Sequence, residues 1–466
     1  MATLLAIDLG TTHIKGAVLD LDALRIGHIQ RFPFPEPIVG LPDLFCEIDV
    51  HKITHSTRQL IAALLPHVVD CVGIVTCGQM GGLVLTDERG APHSNYISWR
   101  DQRLLMPHPS GKGTYWDHFL RRLSDDDRRQ LGNEVRPGLP VSFLFWLVEQ
   151  GQLPAHPVIA ASLPDFVLAT LCGTRPATER TNAVGAINVA TGDWHLELFA
   201  QLGIAHVGWP RLCAVQEQVG ALHIDGLSLP CYAPAGDHQT ALAGAFLEPG
   251  ELSLNISTGS QASLLATQLK RGPYQTRPFF DALFLNTITH IPAGRSLNVL
   301  LGLLVELAEA QQVRLADPWP YIAKAVAATA DTDLAVDLAF FPGPTGTRGA
   351  ISGIHEGNLS IGPIFRAAFR AMAENYLSCA TRLSPSHDWR RIVLSGGLVR
   401  NLEVLRNLII EKFNCDYRIC PFAEDTLLGL LVLGLVATGC DSTAQAAIQR
   451  LTSADHEVSA SIAHGR

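Results

Sequence analysis

The sequence predicts an α/β protein of two large domains of related build, and three observations point there. At 466 residues the chain is too long for a single hydrophobic core. Short β-branched runs alternate along it with stretches of helical spacing. A strand, polar Gly-Thr turn, strand device occurs twice, at Leu4–Asp20 and again at Gly250–Gln268, about half a chain apart. Two such hairpins imply two α/β domains facing one another across a cleft, each offering one turn to the same anion. The junction is expected near Phe246–Gly250, giving domains 1–246 and 247–466.

In the first hairpin the apolar runs Leu4–Ile7 and Ile14–Leu19 flank Asp8-Leu9-Gly10-Thr11-Thr12-His13. Such a turn offers backbone N–H groups and two hydroxyls to a phosphate, beside a carboxylate able to hold a hydrated Mg²⁺. The alternative is an ordinary buried hairpin whose Asp and Thr residues only close the turn. A Pro-rich connection (Phe32–Pro37) follows, then a helix over Val50–Leu65 and a short buried strand, Val72–Val75, which delivers Cys77–Gly82 at its C-terminal end, where open α/β sheets bind ligands. Leu83–Thr86 reads as a further strand, the charged run Arg121–Arg129 as a solvated helix face, and Phe166–Leu171 as a helix stopped by Gly173. Pro234–Thr240 leads into a small-residue helix, Ala241–Phe246. Late in the chain, Arg391–Asn401 is strand, Gly-Gly turn and helix start, and Thr426–Ala437 is a buried helix rich in Leu and Gly.

Composition narrows the function classes. Charged residues make up 17%, hydrophobic ones 47%, and the net charge is -9, which argues against an electrostatic nucleic-acid binder. Ten cysteines without a CxxC pair fit free thiols in a reducing compartment. No secretory leader is visible, and the most apolar run, Leu427–Ala437, falls short of the roughly 20 residues a bilayer needs. A cytoplasmic protein without membrane partners is expected, as a monomer or homodimer.

Taken in order, Asp-x-Gly-Thr-Thr at Asp8–Thr12, Gly-Gln-Met at Gly78–Met80, Trp-x-Asp-x-Arg at Trp99–Arg103, Gly-Asp-x-Gln at Gly236–Gln239, Ser-Thr-Gly at Ser257–Gly259 and Ser-Gly-Gly-x-x-x-Asn at Ser395–Asn401 resemble the FGGY family of carbohydrate kinases. The resemblance covers nearly the whole chain. Its first signature region is similar to Pro140–Gln150, with Phe143 where a lysine is customary; the second is similar to Gly349–Arg370, with Pro363 and Arg370 where polar or acidic residues are usual. The implied fold is a pair of actin-like ATPase (ribonuclease H-like) domains across a catalytic cleft. The implied reaction moves the γ-phosphoryl of ATP, with Mg²⁺, to a sugar hydroxyl.

Residue by residue, the resemblance makes Asp237 the general base, against the alternative that it caps the helix Gln239–Phe246. Asp8 holds Mg²⁺ through water. Thr11, Thr12 and Lys15 meet the phosphates from one side and Thr258 and Gly259 from the other, although Lys15 also reads as an outward strand residue. Gly396, Gly397 and Asn401 match the adenosine-contacting turn, or simply a tight strand-to-helix connection, and Asn298 is a further nucleotide contact. Gln79, Met80, Trp99, His238 and Gln261 line the acceptor site, with core packing the alternative for Trp99. Xylulokinase-like members commonly follow the Met with His; Gly81 stands here and is expected to leave room. The fragments Cys77–Gly82, Leu254–Thr258 and Ser296–Leu300 look most like sedoheptulose-phosphorylating members, so a ketose is the expected acceptor, sedoheptulose first. Xylulose, ribulose, gluconate or glycerol are the alternatives, as is a nucleotide-binding regulator without sugar turnover.

Overall fold

The computed structural model describes residues 2–420, 422 and 424–463, with the side chains of the last helix described as far as Ser453. The chain forms two compact units. Unit 1 contains residues 1–246, 276–284 and 424–466, and unit 2 contains residues 247–275 and 285–423. The expected cut after 246 matches the first crossing between the units, but the expected second domain, 247–466, does not match unit 2, because two later segments return to unit 1.

Unit 1 opens with β1 (Ala2–Leu9), β2 (His13–Asp20) and β3 (Arg25–Pro33). Helix α1 (Val50–Leu64) starts at Asp49, whose carboxylate accepts from the His51 N–H. It is followed by β4 (Asp70–Gly78), longer than its apolar centre Val72–Val75 suggests because pairing with β1 runs on to Leu9↔Gly78. Next come α2 (Pro140–Glu149) and α3 (Leu163–Cys172). The latter begins before Phe166 because Ser162 and Asp165 form a capping box, and it ends, as expected, at Gly173, which is left-handed at φ 66°. The charged run at 121–129 is not one helix face: Ser124 caps a new helix within it through Asp127. Strands β5 (Gln218–Ile224), β6 (Leu227–Tyr232) and the two-residue β7 (Ala235–Gly236) precede α4 (Asp237–Gly244). The sheet order is β5-β6-β4-β1-β2-β3, with β7 pairing β4. Leu5, Ile7, Ile14, Ile53, Ile61, Ile74 and Phe166 fill one core of this unit.

Unit 2 carries the second hairpin, β8 (Glu251–Asn255) and β9 (Ser260–Ala266), then β10 (Phe284–Ile291) and α5 (Gly294–Ala310). After further helices come β11 (Arg391–Ser395), α6 (Gly397–Asn401) and β12 (Asp416–Ile419). Five neighbouring strands run in the order β10-β9-β8-β11-β12. The echo is topological: an antiparallel hairpin (β1/β2, β8/β9) has its first strand paired in parallel with a strand from much later in its unit (β4, β11). Leu252, Leu254, Ile288, Leu297, Phe365, Phe369, Ile392 and Leu394 lie in the core of this unit.

The chain then returns to unit 1 with α7 (Asp425–Ala437), buried from Leu427 to Ala437. Glycines set its approach to α4. A Cβ on Gly244 would lie 1.8 Å from the Asp425 carbonyl oxygen, and one on Gly429 the same distance from that of Thr240, so the helices cross at backbone contact. The ten cysteines are free thiols. No described helix is long and apolar enough to cross a membrane.

Candidate active site

In unit 1 the sheet delivers three chemically distinct segments to one end. The parallel register pairs Asp8 with Cys77 and Leu9 with Gly78, while β7 pairs Ala235 with Cys77 and Gly236 with Gly78. The residues that follow, the Gly10–Thr12 turn, Gln79–Met80 and Asp237, therefore leave the sheet side by side at its carboxyl edge. Gly236 is required there: a Cβ would lie 2.9 Å from both the Met80 sulfur and the Thr181 carbonyl oxygen. Gly236 is also the N-cap of α4, and Asp237 is its first helical residue, so the capping alternative for Asp237 does not hold.

Asp8 is 4% exposed and lies opposite Lys15 across the hairpin. Burial raises its carboxyl to about 7, neighbouring Asp237, Asp425 and Glu424 push the same way, and Lys15 opposes them. Lys15 is not a free outward residue, because its ammonium pairs with Glu424 Oε2 at 3.0 Å, and Arg31 also engages that carboxylate. Burial raises Asp237 to about 6, while the His238 backbone N–H and the guanidinium groups of Arg277 and Arg136 hold it down. Arg277 donates to His238 Nδ1 at 2.8 Å, which makes Nδ1 the unprotonated nitrogen. Burial, with both arginines nearby, drives the His238 imidazolium far below its ordinary range, so the ring is neutral.

Gln79 is buried and engaged at both ends: its amide donates to the Gly10 carbonyl at 3.3 Å and its carbonyl accepts from the Tyr96 hydroxyl at 3.2 Å. Met80 packs with Leu139 and Val184. Trp99 is half-buried, and its indole N–H donates to Thr11 Oγ1 at 3.2 Å, so it meets the first turn rather than serving only as core. Thr12 is exposed. The room expected at Gly81 is filled, since the Gly138 carbonyl lies 2.8 Å from where a Cβ would stand.

In unit 2 a second group assembles around the other hairpin. Gly294 and Arg295, opening α5, donate backbone N–H bonds to the carbonyls of Ser257 (3.1 Å) and Thr258 (2.9 Å). Ile256 N–H bonds the Ser395 carbonyl, and Leu398 N–H bonds that of Ile256. Gly396 has φ 94° and ψ 159°, and a Cβ would fall 2.3 Å from the Ile256 carbonyl oxygen. Thr258, Gly259, Gly397 and Asn401 are exposed, with open space where a Cβ would stand on Gly259 or Gly397. Asn298 lies exposed on the first turns of α5. Gln261, on β9, pairs with Asn255 of β8 within unit 2 and is not among the acceptor candidates gathered in unit 1.

A family model, "FGGY family of carbohydrate kinases, N-terminal domain", matches residues 3–244. The chain belongs to this family. Members are phosphotransferases that use ATP, and this FGGY kinase is one of them. It is 24% identical over 471 aligned residues to sedoheptulokinase of Mus musculus, covering 90% of this chain and 94% of the mouse protein. Among solved structures it resembles a ligand-bound xylulose kinase from Lactobacillus acidophilus, with TM-score 0.81, 19% identity, and coverage of 96% of this chain and 92% of that one. It also resembles Plasmodium falciparum glycerol kinase with ADP, with TM-score 0.79, 16% identity, and coverage of 97% and 92%. These likenesses bear out the actin-like two-domain fold expected from the motifs.

Around Asp8 and Asp237 stand residues that the motifs of this FGGY kinase do not mark. Arg136, Arg277, Glu134, Glu424 and Asp425 all shape the electrostatics of Asp8 and Asp237 or their immediate partners. Glu424 and Asp425 stand next to the apolar run that reads as a buried helix, which was a signal that acidic residues enter a core with it.

Proposed function

We propose that the enzyme phosphorylates a ketose, sedoheptulose first among the candidates, with Asp237 as general base. The observation that carries the base assignment is the carboxylate at the first position of α4, raised to about 6 beside two arginines and at the same sheet edge as the Thr11–Thr12 turn. Above that pH Asp237 is ionised and accepts the proton of the acceptor hydroxyl as its oxygen attacks the γ-phosphorus and ADP departs. Arg136 and Arg277 favour the ionised form; neutral His238 presents its ring to the acceptor. A binding module without turnover has no use for a carboxylate so poised, which disfavours the regulator reading.

Thr11 and Thr12 meet the phosphates from the first hairpin, Thr258 and Gly259 from the second, and Gly396, Gly397, Asn401 and Asn298 serve the nucleoside. Lys15, already paired with Glu424, acts first by holding charge against Asp8. Gln79 acts by tying the first turn to Tyr96, while Met80 and Trp99 wall the acceptor. For Mg²⁺ the donor chemistry fits: Asp8 is a buried carboxylate beside other carboxylates, the hard oxygen donors that this ion takes. When bound through Asp8, Mg²⁺ would neutralise charge on the phosphates.

The ketose choice draws support from the end-to-end likeness to the mouse sedoheptulokinase. Coupled ADP release across sedoheptulose, xylulose, ribulose, gluconate and glycerol tests it. The highest kcat/KM is expected with sedoheptulose, and a preference for glycerol would overturn the ketose reading.

A further inference from the structure

We propose that Arg136 binds the acceptor sugar, its guanidinium donating to a pair of adjacent hydroxyls and so setting which sugars the site takes. This rests on the reading that the carboxyl edge of the unit 1 sheet holds the acceptor.

The strap that carries Arg136, residues 131–139, is seated on that edge by glycines. Gly82 N–H donates to the Gly138 carbonyl at 2.9 Å. A Cβ on Gly138 would come 2.1 Å from the Trp99 carbonyl oxygen, and one on Gly81 would come 2.8 Å from that of Gly138. Side chains at these positions would lift the strap away, so their absence is what seats it against Gly81 and Trp99, with Leu139 on Met80 and the Arg136 charge within reach of Asp237. The Ser142 hydroxyl fixes the strap from behind, directed at the carbonyls of Pro137 and Leu139, each at 2.7 Å.

Two guanidinium groups face Asp237 and His238, and they differ in what they already hold. Arg277 is 4% exposed and fully used: it binds Glu134 Oε1 through Nε and Nη2, both at 2.5 Å, and His238 through Nη1. The Arg136 side chain is 29% exposed and comes no nearer to a carboxylate than 3.6 Å, from Nε to Glu134 Oε2. That Nε is buried without a hydrogen-bond partner. A cation in this setting has donors to spare in a planar fork, which suits two neighbouring oxygens. Charge balance selects the kind of oxygen. Arg136 and Arg277 are matched by Glu134 and Asp237, with His238 neutral, so the site has no net positive charge that calls for an acid and hydroxyls are the fitting partner.

The test uses the full-length enzyme and the sugar that the wild type turns over best. Arg136→Leu is expected to raise the acceptor KM roughly 10-fold or more, the scale of a lost charge-assisted hydrogen bond, with the ATP KM within about twofold of wild type. Arg136→Lys, which keeps charge but loses the fork, should fall between. A merely structural role would move both KM values together or lower kcat alone, and either result overturns the assignment, as does an unchanged acceptor KM in Arg136→Leu. A loss confined to sugar acids such as gluconate also overturns it. Should Arg136→Leu fail to fold, Arg136→Gln and Arg136→Lys are compared by the thermal shift that the sugar induces without ATP, and equal shifts to wild type refute the proposal. Failure of the underlying acceptor reading would show in the wild type alone, as an absence of turnover on every sugar.

Discussion

The two hairpins share a backbone plan and differ in their surroundings. Around the β1/β2 turn stand Asp8, Lys15, Glu424, Asp425 and Asp237, a dense set of ionisable groups in which burial raises the three aspartates while Lys15 and Arg31 hold Glu424 down. Around the β8/β9 turn the partners are neutral: Asn255 bonds Ser395, Ser257 bonds Asn255, and backbone N–H groups of α5 and Leu398 complete the cluster. The same device thus serves two ends. One hairpin is embedded in groups that can move a proton, while the other is built from amides and hydroxyls whose charge does not change with pH.

The strongest way to break this contrast is Asp237→Asn. It should lower kcat by at least the roughly 10²-fold typical of general-base removal, with sugar binding retained in a thermal-shift titration. In the wild type, kcat/KM should fall below about pH 6 as Asp237 takes up a proton, and that limb should vanish in the variant. Stability should move the opposite way. Because the folded-state pKa of Asp237 is raised, the native protein binds more protons than the unfolded chain between pH ~4 and ~6, so ligand-free stability falls as pH rises through that window. Asp237→Asn should therefore melt higher than wild type at pH 7.5.

In the cluster around the second hairpin the largest effect is expected at Gly396, between β11 and α6, whose φ and ψ belong to a region essentially reserved for glycine. Gly396→Ala should destabilise unit 2 by about 1–3 kcal/mol from backbone strain, with more from the clash at Ile256, as read by proteolysis or melting. Gly397→Ala, entering open space, should leave melting unchanged and raise only the ATP KM. The smallest effect sharpens the comparison most. Thr11→Val removes both a phosphate contact and the acceptor of the Trp99 N–H bond, so both KM values should rise about fivefold, whereas Thr258→Val should raise the ATP KM alone.

Much of this arrangement is legible in the sequence because its parts are local. Asp8–Thr12, Ser257–Gly259 and Gly396–Gly397 each announce a turn between short apolar runs, and the observed strands follow. Arg136 and Arg277 are not legible in that way, since their meaning comes from Glu134 and His238, and no spacing along the chain ties those four together. The return of α7 to unit 1 escapes for another reason. A helix apolar on all sides reveals that it is buried and says nothing about where, and the partner is chosen by Gly244 and Gly429, which look unremarkable until the two backbones meet. Lys15 could not be read as paired when its carboxylate lies 409 positions away.

Helix α7 also orders events at the ribosome. The stretch ending at Ala423 finishes unit 2, and only afterwards do residues 424–437 emerge to cover α4 and complete the core begun by the first strands. The unit made first is thus completed only after unit 2 has been made, and until residues 424–437 arrive the face of α4 that meets Gly429 stands uncovered.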